Sequence, residues 1–299
     1  MRYETGVGGW RVGPDTSFIV GQAWLARNSK NQRMKANRSF VSAGGFTVLA
    51  EIEPATRPDL RGVREQIAVL APVADAFLVP DNHLGRATVS SVAVAHEVAT
   101  MGGRSIACLN ARDRNLLGLQ RDLLTAAAYG VDHLLLVQGD NRSEDTRTLT
   151  ASGMFKEARE SAARMGMPHL SLGVTARAGK PLPAWKREAD FVLTQIDYAV
   201  EDVVAWRESL SYDGPVLVGV IVLTSAAMAG RLAGGGYGVE IPDAVVERLA
   251  REPRSGVEMA IDLVGRFRPS CCDGVHLVSG NRYRDVAQAL LLKAADAAD

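Results

Sequence analysis

The sequence predicts a (β/α)8 TIM barrel preceded by an N-terminal extension, and three observations carry that reading. Eight short, mostly apolar runs alternate with helical patterns at about thirty residues per unit, a count that suits a closed barrel better than a doubly wound sheet. The runs are apolar with little alternation, as in parallel strands covered on both faces. Polar and charged residues gather at or just past the ends of these runs, where a barrel presents its ligands.

The clearest unit starts with an apolar run from Ser105 to Leu109. A polar break at Arg112–Asn115 follows, and Leu116, Leu119, Leu123 and Leu124 then recur at helical spacing. Gly130 ends that helix without a Cβ penalty, and His133 to Val137 is the next strand. Gln138-Gly139-Asp140 closes the unit and delivers a carboxylate to the strand end; the plainer reading of Asp140 is a cap on the next helix.

The other units follow in order. The first run begins at Phe46 and carries Glu51 and Glu53 at its end, before a helix near Asp59 to Leu70. Asp75 to Val79 is the second strand, with Pro80–Arg86 as its loop and a helix through Val89 to Met101. Beyond a polar stretch at 141–153, a helix from Met154 to Met165 leads to a fifth strand, His169 to Val174. Asp190 to Ile196, Pro215 to Leu223 and Gly274 to Val278 complete the eight, with helices from Ser225 and from Pro242 to Leu249 between the last two.

Residues 46–299 thus form one barrel domain. Residues 1–45 differ, with glycines at 6, 8, 9 and 13, tryptophans at 10 and 24, and a basic run of Arg27, Lys30, Arg33, Lys35 and Arg38. They read as an extension, a solvated arm or a segment folded over the barrel.

Composition narrows the function. Of 299 residues, 47% are hydrophobic and 23% charged, and 34 basic residues balance 34 acidic ones. No global field then favours nucleic acid or an acidic membrane face, and the expected partner is a small molecule. Three cysteines, two of them adjacent at 271 and 272, give neither a disulfide framework nor metal-ligand spacing, so a reducing cytoplasm and no metal are expected. Neither a signal peptide nor a membrane span is indicated. The chain is expected to be a monomer or a homo-oligomer.

Asp81-Asn82 with Leu84-Gly85-Arg86, the run Arg112-Asp-Arg-Asn-Leu-Leu-Gly-Leu-Gln120, Asp122-Leu-Leu124, Gly139-Asp140 and Thr194-Gln195 are specific enough to compare with a family. Together, in order from about Phe46 to Leu292, they resemble the methylenetetrahydrofolate reductases, above all the single-barrel bacterial type. The resemblance implies reduction of 5,10-methylenetetrahydrofolate to 5-methyltetrahydrofolate with NADH or NADPH. Glu51, in Ala50-Glu-Ile-Glu-Pro54, stands where the family has its catalytic glutamate. It would protonate the departing N10 as the folate ring opens, and Asp140 would stabilise the iminium cation so formed. Strand alternation puts Glu53 on the same face as Glu51, so exchanged or shared roles stay open.

The resemblance further implies that Gln195 hydrogen-bonds the pterin and that Arg282, beside Asn281, meets the glutamate tail. Asp81, Asn82, Asn110, Gln138 and Arg177 fall at positions that would hold the cofactor, which in this family is FAD reduced by NAD(P)H. Those positions depart from the family pattern. Val79-Pro80 replaces Val-Thr, Cys108-Leu-Asn-Ala111 replaces a strand end with His or Gln before Thr-Cys, and Gln138 replaces Arg or Thr. Between strands five and six, a stretch with two prolines replaces a longer loop and helix, leaving Arg177, Lys180, Lys186 and Arg187 to meet a phosphate. The glycine patch at 234–238 lacks the preceding strand of a dinucleotide fingerprint. The expectation is a kept folate half and a weakened or lost flavin half, with direct reduction by the nicotinamide nucleotide. The alternatives are an FAD-dependent reductase and a non-catalytic folate-binding barrel.

Overall fold

The computed structural model describes residues 40–41, 45–82, 85–139, 149–167, 170–234 and 239–296. Eight parallel strands close into a barrel in sequence order: β1 (Thr47–Glu51), β2 (Ala76–Val79), β3 (Ser105–Asn110), β4 (His133–Val137), β5 (Ser171–Ala176), β6 (Phe191–Ile196), β7 (Val216–Ile221) and β8 (Gly274–Val278). The connecting helices are α1 (Arg61–Leu70), α2 (Ser91–Thr100), α3 (Leu116–Ala128), α4 (Ala151–Arg164), α5 (Ala184–Arg187), α6 (Val200–Ser209), α7 (Ala226–Gly234), α8 (Asp243–Arg251), α9 (Gly256–Phe267) and α10 (Tyr283–Asp296). The predicted (β/α)8 architecture is the observed one.

Boundaries differ where the sequence signal is weak. β5 begins two residues later than expected and runs to Ala176, because Ser171 N–H binds Asp132 and Leu172 N–H binds the carboxylate of Asp190. The sequence analysis assigns no helix over 256–267, yet α9 is one of the best-buried helices; Gly256 permits its start to approach Leu223, whose oxygen would lie 1.7 Å from any Cβ there. Residues 1–39 and 42–44 of the predicted extension, Asp140, the following residues to 148, His169 and most of the glycine patch lie outside the described residues.

Strand register is reinforced by aspartates at the entry to alternate strands. Asp75 accepts the N–H of Val48 at 2.9 Å, Asp190 that of Leu172 at 2.6 Å, and Asp273 that of Val216 at 2.9 Å. Each carboxylate before β2, β6 and β8 thereby ties the start of the neighbouring odd-numbered strand. Because side chains alternate along a strand, fixing register fixes which residues face the lumen.

The lumen is packed, not hollow. Leu49, Ala76, Leu78, Ile106, Cys108, Leu135, Phe191, Leu193 and Leu217 form one buried cluster, and Phe40 and Val41 belong to it as well. Two residues of the stretch read as an extension therefore pack with the barrel core. Phe40 meets Phe191 edge-on at 4.8 Å and His133 at 5.3 Å. Gly173 makes room for the Phe191 ring, which a Cβ would approach to 2.0 Å.

Two outcomes follow. Phe40→Ala should lower stability by about 3 kcal/mol, since it empties an aromatic site in a packed layer; a denaturant midpoint equal to wild type would show that the ring is not held there. Burial, and then the charge of Arg104, hold His133 well below its ordinary 6.5, at about 4. The unfolded chain binds a proton at His133 that the fold refuses, so this contribution is complete above pH 6.5 and is lost as pH falls toward 4. The loss amounts to roughly 3 kcal/mol across the window. His133→Phe should flatten that part of the stability-against-pH curve, and an unchanged slope would contradict the assignment.

Candidate active site

Above the apolar lumen the strand ends turn polar. Continuing the inward series of each strand leads from Leu49 to Glu51, from Cys108 to Asn110, and from Leu217 through Gly219 to Ile221. The sequence of β1 stops at Pro54, and the strand itself ends at Glu51. Glu53 lies in the exposed loop beyond, where Gln66 of α1 grips its backbone, Oε1 accepting the Glu53 N–H at 2.9 Å and Nε2 donating to its carbonyl at 3.1 Å. Strand alternation does not reach Glu53, and the carboxyl group at the lumen mouth is that of Glu51.

Oε2 of Glu51 lies 3.0 Å from Nε2 of His276, and both side chains are largely buried. The ring N–H is not aligned on that oxygen, and the buried Nε2 has no well-formed hydrogen bond. Sequence analysis passes over His276 because it reads the whole of Gly274–Val278 as a strand; the signal that could have found it is a titratable ring at a lumen position beside β1. The thiol of Cys108 lies within electrostatic reach of Glu51. Burial first, then the charges of Glu51 and Asp81, keep its thiol well above the usual range, so it stays neutral.

Gln195 reaches the mouth through a β-bulge. The β6–β7 register shifts between Leu193 and Ile196, and Thr194 Oγ1 accepts the Gly219 N–H at 3.2 Å while donating to the carbonyl of Gln195 at 2.7 Å. A Cβ on Gly219 would lie 2.8 Å from the Gln195 oxygen, so only glycine admits the bulge. Bulges re-aim side chains beside active sites. Here Gln195 is exposed and lines a cleft of about 820 Å³ with Arg177, Asp197, Trp206, Glu240 and Asp243. Burial, and then the charges of Asp202 and Glu240, raise the carboxyl of Asp197 against the Ala199 N–H that its oxygen accepts at 2.9 Å.

The β2–β3 side of the mouth is a closed polar network. Oδ2 of Asp81 accepts from the backbone N–H of Asn110 at 2.9 Å, from its Nδ2 at 2.8 Å, and from Arg114. Arg114 also donates to Asp122 at 2.8 Å and to the Asn110 carbonyl at 3.0 Å. Asn82, in the left-handed region at φ 47°, donates to Asp113 at 3.2 Å, and its carbonyl accepts from Arg112 at 3.2 Å. Asp113, held by Arg112 and further by Asn82 and Asn110, drops to about 2. Asp81, Asn82 and Asn110 thus have their polar groups engaged within the protein. Asn110 is 1% exposed.

Gln138 accepts the Ala151 N–H at 3.0 Å, tying the end of β4 to the start of α4 across the connection that contains Asp140. Gly139 needs its positive φ of 87°, and Arg112 Cβ would lie 3.1 Å from a side chain there. Between β5 and β6 the two prolines leave only the four-residue α5. Lys186, whose amine burial pulls below its usual range, donates to the Thr175 carbonyl at 2.5 Å, and Arg187 donates to that of Leu182 at 3.2 Å. Arg177 is exposed in the cleft. Arg282 pairs with Asp285 at 2.5 Å in the turn after β8, and Asn281 is exposed beside it.

The structure therefore places Glu51 at the end of β1 beside His276, puts Gln195 and Arg177 in the cleft next to β6, holds Arg282 and Asn281 after β8, and ties Asp81 to Asn110 in the wall. Of the described residues that the resemblance assigns to the flavin, Asp81, Asn82 and Asn110 hydrogen-bond within the protein, whereas Arg177 is exposed in the cleft.

The model of the methylenetetrahydrofolate reductase family matches residues 186–293, from α5 through β8 into α10. That part of the chain is similar to the methylenetetrahydrofolate reductases. No curated protein matches it. An uncharacterized protein from Clostridium thermocellum, described as binding two copies of 5-methyl-5,6,7,8-tetrahydrofolic acid, has the same fold: 13% identity over 82% of this chain and 94% of its own, with a TM-score of 0.60. Two crystal forms of 2,3-dimethylmalate lyase align at TM-scores of 0.46 and 0.48, with 10% and 12% identity over 93% and 88% of this chain and 84% and 81% of theirs.

Arg114 and Asp81 have side chains only 11% and 5% exposed. Asp81→Ala would leave the guanidinium buried beside one remaining carboxylate and should destabilise the protein by about 3 kcal/mol. A thermal melt superimposable on that of the wild type would show that the network does not hold the wall.

Proposed function

We propose that the protein reduces 5,10-methylenetetrahydrofolate to 5-methyltetrahydrofolate, with the hydride passing directly from NADH or NADPH and no flavin between them. The observation that carries this reading is the strand-end carboxyl of Glu51, held over an apolar lumen in a barrel whose residues 186–293 match this family's model. The solved barrel of the same fold is described as binding the product of this reaction, which supports a folate as ligand.

The reaction opens the five-membered ring by cleaving the methylene–N10 bond. Glu51 gives its proton to N10, and the electron-poor methylene left on N5 accepts hydride to become the methyl group. One folate, one reduced nicotinamide nucleotide and one proton are consumed; 5-methyltetrahydrofolate and the oxidised nucleotide are released. Asp140 would balance the iminium charge, and Gln195, with a donor and an acceptor on one amide, would pair with the pterin edge. Arg282, with Asn281 beside it, would meet the glutamate carboxylates in place of Asp285. The exposed Glu53 stands outside this scheme as a neighbour of the entrance. The paired state of Asp81, Asn82 and Asn110, the backbone bonds of Lys186 and Arg187 and the short α5 support the flavin-free form of the reading.

Glu51→Gln keeps shape and hydrogen bonding but cannot give up a proton. Turnover should fall by at least about a hundredfold, while folate affinity measured by calorimetry stays within about threefold. Activity that survives the change would show that another group or water protonates N10.

A further inference from the structure

The geometry points to His276 as a positioning residue for Glu51: its Nε2–H holds one carboxyl oxygen so that the other delivers the proton, and then stabilises the carboxylate left behind. This rests on the reading of Glu51 as the acid. The 3.0 Å approach of Nε2 to Oε2 is one of two observations that carry it. The other is that Nε2 is buried without an aligned partner in the ligand-free fold. An unmatched buried nitrogen costs stability, and catalytic hydrogen bonds often tighten only when substrate is bound.

The surroundings suit the role. His276 sits opposite Leu49 on β1 and Gly219 on β7, so one flanking residue is apolar and the other has no side chain. The Cys108 thiol feels the charges of both Glu51 and Asp81. The thiol stays protonated, and Asp81 is occupied by Asn110 and Arg114. Neither competes for the proton. In this scheme Glu51 loses a proton to N10, and the resulting carboxylate gains a fully aligned ring N–H donor in a site of low polarity. The interaction strengthens as charge develops, so its loss falls on kcat more than on KM.

The test uses the full chain with two substitutions. His276→Leu should lower kcat by about a hundredfold with KM for the folate within about threefold. His276→Gln places an amide N–H near the position of Nε2 and should recover at least about tenfold of that loss. Wild-type kcat in the leucine variant, or a folded glutamine variant as impaired as the leucine one, would overturn the assignment. Proton–nitrogen NMR of the histidine side chains supplies a readout independent of turnover, with the leucine variant identifying the His276 signals among five histidines. Nε2 should carry the proton, and Glu51→Gln should shift its resonance. An unprotonated Nε2 also overturns the proposal. A protonated Nε2 coupled to Glu51 in a protein that reduces no folate would leave the pair standing and remove the reaction assigned to it.

Discussion

A closed parallel barrel has one interior, and what fills it decides where chemistry can occur. Here the interior is filled by Phe40, Phe191 and their apolar neighbours, so little room is left for polar side chains below the strand ends. That constraint depends on register. A slip of one residue would turn Glu51 toward the helices and Ala50 into the lumen. The aspartates before β2, β6 and β8, which accept backbone N–H groups of the neighbouring strands, hold the register at the opposite end from the site. The geometry of the mouth is thus set by hydrogen bonds at the base.

The same constraint separates two walls of the site. On the β2–β3 side, Asp81, Asn110 and Arg114 are too deeply buried to remain unpaired, and they satisfy one another. On the β6–β8 side, Gln195 at the bulge and Asn281 are exposed, and the buried Nε2 of His276 has no aligned hydrogen bond. A ligand gains most on the second side. The family match falls on that same half of the barrel.

Much of this was legible in the sequence, for reasons that differ by residue. Apolar runs at regular intervals gave the barrel, because strands buried on both faces leave a strong signal. Glu51 and Gln195 could be picked out because each stands at a strand end in a motif. The helix at 256–267 was not, since an apolar amphipathic stretch following another helix lacks the strand that marks each repeat. His276 was hidden because a partner from the far end of the chain gives it its meaning, 225 residues from Glu51. Asp81 and Asn110 show the converse: strand-end position made them look available, and only three-dimensional pairing shows their groups to be occupied.

The central claim is that hydride passes directly to the folate, and the fate of the hydrogen tests it most directly. Purified protein, its visible spectrum recorded first, would be given 5,10-methylenetetrahydrofolate and a nicotinamide nucleotide deuterated at the transferable position. Hydride held on a flavin nitrogen exchanges with water, whereas direct transfer keeps the label. The account predicts a colourless protein and one deuterium in each new methyl group. A stoichiometric flavin band with solvent hydrogen in the methyl group, or no consumption of the nucleotide when folate is present, would contradict it.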